Sequence, residues 1–125
     1  MAKKSGTYVD GFVIAVPKKN LAAYRRMANL GKKIWMKHGA LDYKECIGDD
    51  LNTKGAAQFT KMMRIKPNET VVFSYIVYKS RAHRNSVNAK VMKDPLMNDP
   101  KYENKSMPFD MKRMVYGGFK IIVSS

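Results

Sequence analysis

The chain has 125 residues, in which 24 Lys and Arg oppose 10 Asp and Glu, for a formal net charge of +14. This length predicts one domain over residues 1–125, and the charge favours contact with anions without specifying a fold. The longest apolar run, residues 12–16, is too short to cross a bilayer, and no apolar signal segment follows Lys3 and Lys4. Cys46 is the single cysteine, which excludes an internal disulfide. We therefore expect a cytoplasmic protein without a membrane partner.

The first part of the chain predicts a strand, a long helix and a second strand. Residues 8–16 are rich in β-branched and aromatic side chains, with Gly11 as a bulge or a point of close approach. A helix is predicted over residues 18–38 and is stopped by Gly39. The second strand is predicted over residues 40–47.

The first helix is predicted to be strongly amphipathic. At about 100° per residue, its apolar positions fall on one side: Leu21, Ala23, Tyr24, Met27, Ala28, Leu30, Ile34 and Trp35. The opposite side carries Lys18, Lys19, Arg25, Arg26, Lys32, Lys33 and Lys37. This separation indicates a helix that packs on a sheet and presents a basic face to solvent.

The middle of the chain alternates loop and strand patterns before a second helix. A polar loop covers residues 48–58, and residues 59–65 are predicted to form a short extra strand. Residues 70–78 are the most strand-like segment. Ser80 is placed to cap a helix that reaches about Lys93, where an Asp-Pro pair breaks it.

The last part of the chain predicts turns and a final strand. Residues 96–107 are turn-rich and are expected to hold one short helical turn, and the last strand is predicted over residues 113–123. Gly117 and Gly118 precede no helix, so a bulge is favoured over a phosphate site. The order β-α-β-(β)-β-α-β predicts an α+β fold with a ferredoxin-like antiparallel sheet backed by two helices.

The strand over residues 70–78 is apolar on both faces, which has a consequence for assembly. One face carries Val71, Phe73, Tyr75 and Val77, and the other Val72, Ser74, Ile76 and Tyr78. A sheet covered on one side alternates apolar with polar residues, and two helices cover only one side. The sequence therefore predicts a homodimer that pairs through the second sheet face.

Several segments carry a resemblance to a known family. They are Tyr8-Val9-Asp10-Gly11-Phe12-Val13, Gly39-Ala40-Leu41, Glu45-Cys46, Val71-Val72-Phe73-Ser74, Asn88-Ala89-Lys90-Val91-Met92, Asp94-Pro95 and residues 107–119. With them the chain resembles the YbaA-like family, small bacterial proteins of unknown function in the dimeric α/β-barrel superfamily. The resemblance implies two ferredoxin-like subunits whose sheets pair into a barrel.

The chain departs from that family pattern at three positions. Leu96 stands where the family often has Arg, and Tyr75 replaces a usual Trp. Val77 occupies a position where an acidic residue is common, so no carboxylate role carries over there. The strong basic charge is also atypical of the family.

The second helix gives the first set of candidate ligand-binding residues. Its sheet-facing side carries Arg84, Val87, Asn88 and Val91. Convergent polar groups can line a ligand pocket, and Trp35 and His38, at the end of the first helix, are placed to close the same cleft. The alternative is a structural network in which Arg84 pairs with a carboxylate such as Glu45, Asp10 or Asp110.

The segment before the last strand gives the second set. Asp110 is expected to cap the turn into that strand, and Arg113 to reach a carboxylate or an anionic ligand. Phe109 is expected to anchor the loop to the core, and Cys46 to be a buried apolar residue. No metal-ligand spacing, nucleophile elbow or phosphate loop is present, so we predict no metal and no cofactor and assign no catalytic residue.

Three functions stay open at this level. The first is a homodimeric small-ligand-binding or housekeeping module. The second, implied by the superfamily, is a cofactor-free monooxygenase or haem-degrading enzyme that uses Trp35, His38, Arg84 and Asn88. The third is non-specific RNA binding through the basic helix face, although the sequence lacks the aromatic RNA-binding segment of RNA-recognition motifs.

Overall fold

A computed structural model of the chain describes residues 6–99 and 107–125. The elements in chain order are β1 (Tyr8–Pro17), α1 (Leu21–Lys37), β2 (Asp42–Ile47), α2 (Phe59–Met62), β3 (Glu69–Tyr78), α3 (Arg81–Met92) and β4 (Val115–Lys120). The strands form one antiparallel sheet in the order β2-β3-β1-β4. This is the strand order of a ferredoxin-like sheet, so the predicted α+β fold is confirmed.

The core lies between one face of this sheet and the helices α1 and α3. It is built from alternate residues of the central strands, which meet α1 and α3 in two clusters: Tyr8, Ile14, Val16, Val72, Ile76 and Tyr78 with Tyr24, Ala28, Ile34, Val87 and Val91. Burying each large apolar side chain contributes about 1.5–3 kcal/mol. The predicted apolar face of α1 is therefore confirmed, and the seven predicted basic positions are exposed.

The ends of the helices follow the sequence signals closely. Gly39 adopts a φ of +112°, a conformation that favours glycine, and stops α1 as predicted. The Ser80 hydroxyl accepts the backbone N–H of His83, which confirms the predicted cap of α3. A 3₁₀ turn over Lys18–Asn20 replaces the first predicted turn of α1.

The extra strand predicted over residues 59–65 is wrong. The backbone N–H of Met62 donates to the carbonyl of Gln58 and that of Met63 to the carbonyl of Phe59, which are helical bonds. Met63 is buried, so a short helix that brings it against the sheet satisfies this segment better than an unpaired strand. This helix is α2.

The bulge predicted at Gly117 and Gly118 is also wrong, because the register between β1 and β4 is unbroken. A Cβ atom on Gly118 would lie 2.9 Å from the ring of Tyr8, so glycine is required there by close approach. A Cβ atom on Gly11 would lie 3.5 Å from the Phe119 ring. The last strand, Val115–Lys120, is shorter than predicted because Arg113 belongs to a 3₁₀ turn, Met111–Arg113.

The second sheet face, which we call the open face, carries apolar side chains that no described element covers over most of its area. Phe73 is 45 % exposed, Val115 52 % and Phe119 59 %. Among the described residues one end of the face is covered, where Val71 lies beside Leu51 and Phe59 and its cross-strand neighbour Ala15 is also buried. Cys46 also belongs to this face, by strand alternation.

The prediction of a buried Cys46 is wrong, because its thiol is exposed. It lies on β2, an edge strand of the sheet, on the side away from the helices. Among the turn-rich residues 96–107, residues 96–98 form turns and residues 100–106 lie outside the described residues, so the short helical turn expected in this stretch stays a prediction. Within the described ranges no helix has the length and apolar character needed to cross a membrane.

One buried carboxylate joins the C-terminal ends of α1 and α3. Asp94 accepts the backbone N–H of Leu96 at 2.8 Å, and its Oδ2 lies 2.7 Å from His38 Nε2 and 3.1 Å from Lys37 Nζ. The hydrogen bond from Leu96, then that from His38, lowers the pKa of Asp94 from the usual 3.8 to about 2. The folded protein therefore favours the ionised form of Asp94.

We expect Asp94→Asn to lower the midpoint of thermal unfolding at pH 7, and to lower it more than Asp42→Asn, because the Asp42 side chain is 43 % exposed and forms a surface ion pair with Lys44. Because the pKa of Asp94 is lower in the folded state, its contribution to stability is complete above the usual value of 3.8. It is lost as the pH falls from about 4 to about 2. Calorimetry across this range would contradict the account if the difference between wild type and Asp94→Asn stayed constant.

Candidate functional site

Arg84 projects from α3 into a polar cluster on the covered side of the sheet. Its Nη1 donates to Asp10 Oδ1 at 3.1 Å and to the Tyr116 hydroxyl at 2.8 Å, and its Nη2 to the Tyr8 hydroxyl at 3.4 Å. The Tyr116 hydroxyl donates in turn to Asp10 Oδ2. Of the three carboxylates considered from the sequence, Asp10 is therefore the partner of Arg84.

Asp10 is only 2 % exposed, so its charge is largely removed from water. Burial raises the pKa of Asp10, and the Arg84 charge with the hydrogen bonds from Tyr116 and Arg84 acts in the opposite direction. Arg84 also lies over the Tyr8 ring, 5.2 Å from its centroid, and its buried Nε has no hydrogen-bond partner among the described residues. The cluster closes the sheet against α3.

Trp35 and Asn88 are brought together as the sequence suggested. The Trp35 indole N–H donates to Asn88 Oδ1 at 3.1 Å, and the Tyr78 hydroxyl approaches the same oxygen at 3.4 Å. His38 turns instead to Asp94. The candidate set thus divides into a Trp35–Asn88 pair and two side chains with other protein partners, and a ligand-binding role for these residues stays a prediction.

The second candidate pair lies at the entrance to β4. The Asp110 carboxylate accepts the backbone N–H of Lys112, which confirms the predicted cap. Arg113 donates from Nη1 and Nη2 to both carboxylate oxygens of Glu69, at 2.6 and 3.0 Å, and these bonds lower the pKa of Glu69. Phe109 is buried edge-on against Tyr24, 5.7 Å between ring centroids, and anchors the loop as predicted. Any further anion at Arg113 stays a prediction.

A cleft that the sequence did not reveal lies between α1 and the edge strand β2. Its volume is about 730 Å³. Its apolar lining comes mainly from Leu21, Ala22, Ala28, Ile47 and Val72, and its polar lining includes Arg25, Asn29, Lys32, Tyr43, Lys44 and Glu45. We call it the α1–β2 cleft.

The polar centre of the α1–β2 cleft is the Glu45 carboxylate. The Tyr24 hydroxyl donates to Oε1 at 2.6 Å and the Tyr43 hydroxyl to Oε2 at 2.8 Å. Burial, and after it the Glu45 carboxylate, raises the pKa of both phenols, so that they stay protonated donors. Each carboxylate oxygen has two lone-pair sites, so each retains capacity for a further donor.

The rim of the cleft carries two cations on one stripe of α1. Arg25 and Lys32 are seven residues apart, about 10.5 Å along a helix axis, and Ala28 and Asn29 lie between them. Within the part of the chain that the structure describes, neither cation has an ion pair, whereas Lys44 pairs with Asp42 at 2.6 Å. The small side chain of Ala28 leaves the space between them open.

Sequence reasoning assigned these residues to other roles. It placed Tyr24 on the apolar side of the first helix and Arg25 and Lys32 on its basic side, and it considered Glu45 as one of three possible partners of Arg84. The available signal was the spacing of a basic residue, a small residue and a second basic residue at positions 25, 28 and 32. That spacing puts all three on one helix face.

Comparison with known proteins identifies the family of this chain. Residues 7–111 match the family described as protein of unknown function (DUF1428). The chain is 44 % identical over 116 residues to the uncharacterized protein YbaA of Escherichia coli (strain K12), an overlap of 93 % of this chain and 97 % of the relative. The same values hold for YbaA of Escherichia coli O157:H7 and of Shigella flexneri. The chain therefore belongs to the DUF1428 family, in agreement with its resemblance to YbaA.

Proposed function

We propose that the protein is a cytoplasmic homodimer that binds a small molecule in the α1–β2 cleft of each subunit. The observation that carries the proposal is the Glu45 carboxylate held by two phenols within a cleft of about 730 Å³. Ligand pockets typically measure about 300–1,000 Å³ and combine apolar walls with a few fixed polar groups. The α1–β2 cleft meets both conditions.

Binding without turnover is favoured over the two other functions considered. Trp35, His38, Arg84 and Asn88, the set considered from the sequence for an oxygenase or haem-degrading site, each bond to a protein partner. In the α1–β2 cleft, by contrast, carboxylate lone pairs and two rim cations remain available. Non-specific RNA binding rests on the charge of the basic face of α1 alone, without the aromatic RNA-binding segment of RNA-recognition motifs.

The open face supports the homodimer. With strands about 4.8 Å apart and a rise of about 3.3 Å per residue, its uncovered part measures roughly 20 Å by 20 Å, on the order of 400 Å². The largest apolar patch of a typical protein measures about 300–600 Å² and is often a functional surface. Ile122 and Val123, just beyond β4, are 90 % and 85 % exposed and extend the apolar surface. A second copy would cover this surface with a matching one.

We expect Phe73→Glu to convert the dimer to monomer, because it places a charge on a central strand of the open face. Met36→Glu is the matched control, since Met36 on α1 is 43 % exposed and Phe73 45 %. Light scattering coupled to size-exclusion chromatography measures the mass of both variants. If Phe73→Glu does not fold, Phe119→Glu with Met92→Glu as control repeats the test on the edge strand. Dimers that survive both open-face substitutions in folded protein would contradict the proposed interface.

We expect the neutral fluorescent probe N-phenyl-1-naphthylamine to bind the wild-type protein, and Ala22→Trp to weaken that binding at least tenfold. Ala22 is exposed and lines the cleft, so the indole would occupy ligand space without disturbing the core. Ala89→Trp adds the same indole to an exposed position of α3 and serves as the control. Equal probe affinity in the two variants would show that the cleft is not the binding site.

A further inference from the structure

The α1–β2 cleft has an asymmetric distribution of charge. Its strand wall holds the Glu45 carboxylate, fixed by Tyr24 and Tyr43. Its helix rim holds the Arg25 guanidinium and the Lys32 ammonium, which have no ion-pair partner among residues 6–99 and 107–125. Apolar side chains lie between the two walls. A bound molecule would therefore meet an acceptor on one side and cations on the other.

We propose that the ligand of this cleft is a small amphipathic carboxylate with an apolar body and a hydrogen-bond donor. The inference rests on the proposed function and adds the chemical class of the ligand to it. The carboxylate lies at the rim with Arg25 or Lys32, the apolar body lies on Ala28 and Val72, and the donor, a hydroxyl or an N–H, reaches Glu45.

Each part of this ligand follows from a group on the protein. Guanidinium and ammonium groups bind carboxylates by charge-assisted hydrogen bonds, and a guanidinium does so with two parallel donors. A carboxylate placed against Glu45 itself would meet like charge, so the anion belongs at the rim. The free lone pairs of Glu45 accept a donor and reject an acceptor, which selects against an unsubstituted apolar acid.

The helix itself provides matched controls for a test of this inference. Arg26 and Lys33 are the sequence neighbours of Arg25 and Lys32, are also exposed, and do not line the cleft. Replacing either pair by glutamine removes the same charge from the same helix. A difference between the two double variants therefore reports position and not net charge.

The test compares two probes that differ by one anionic group, 8-anilinonaphthalene-1-sulfonate and the neutral N-phenyl-1-naphthylamine. We expect the wild-type protein to bind the anionic probe more tightly. We expect R25Q/K32Q to weaken anionic-probe binding about five- to tenfold, the range for two exposed charge contacts. Neutral-probe binding should be unchanged in this variant, which also shows that it is folded. The preference of the wild-type protein for the anionic over the neutral probe should decrease as the salt concentration is raised.

The outcomes separate this inference from the proposed function. Equal affinity for both probes, or the same loss in R26Q/K33Q as in R25Q/K32Q, overturns the anionic ligand and leaves the cleft in place. Binding of both probes that Ala22→Trp does not weaken overturns the cleft itself, and the ligand class with it. Loss of the anionic probe confined to R25Q/K32Q supports both.

Discussion

Two helices can cover only one face of a four-stranded sheet, and the sheet of this chain carries apolar side chains on both faces. The constraint arises in the central strands, where Val72 and Ile76 pack on the helices while Phe73, on the opposite side, is left 45 % exposed. Open antiparallel sheets that face water carry polar residues on that side. The open face is therefore the feature on which the proposed assembly depends, and a second copy of the chain is the cover that symmetry makes available.

On the covered face, most polar side chains are held by protein partners, and the α1–β2 cleft lies at the sheet edge. Asp10 and Arg84 pair beneath α3, and Asp94 joins the ends of the helices. At β2 the helix layer is incomplete, because α1 presents Ala28 there and leaves the cleft beside Glu45. Packing of α3 accounts for the filled Asp10–Arg84 cluster, and packing of α1 for the open cleft. The same helix supplies the rim cations that select the charge of the proposed ligand.

Much of the fold was predictable because it depends on local patterns. β-Branched and aromatic composition identified the strands, the 3.6-residue period identified α1, and Gly39 and Ser80 marked helix ends where the structure has them. The failures have physical causes. The sequence of residues 59–65 allows either a strand or a helix. The burial of Met63 favours the helix. Cys46 is exposed because β2 is an edge strand. The position of β2 depends on the order of strands in the sheet, which no local sequence pattern gives. The α1–β2 cleft forms where α1 and β2 leave a space between them. No local sequence pattern encodes the distance between these two elements.

The most direct test of the proposed assembly is sedimentation equilibrium of the unmodified protein across the micromolar concentration range. The measurement requires no assumption about the ligand and no variant. If the open face is a subunit interface, the protein sediments with the mass of two chains throughout that range. A single-chain mass at every concentration would contradict the account, because the apolar face would then remain in water.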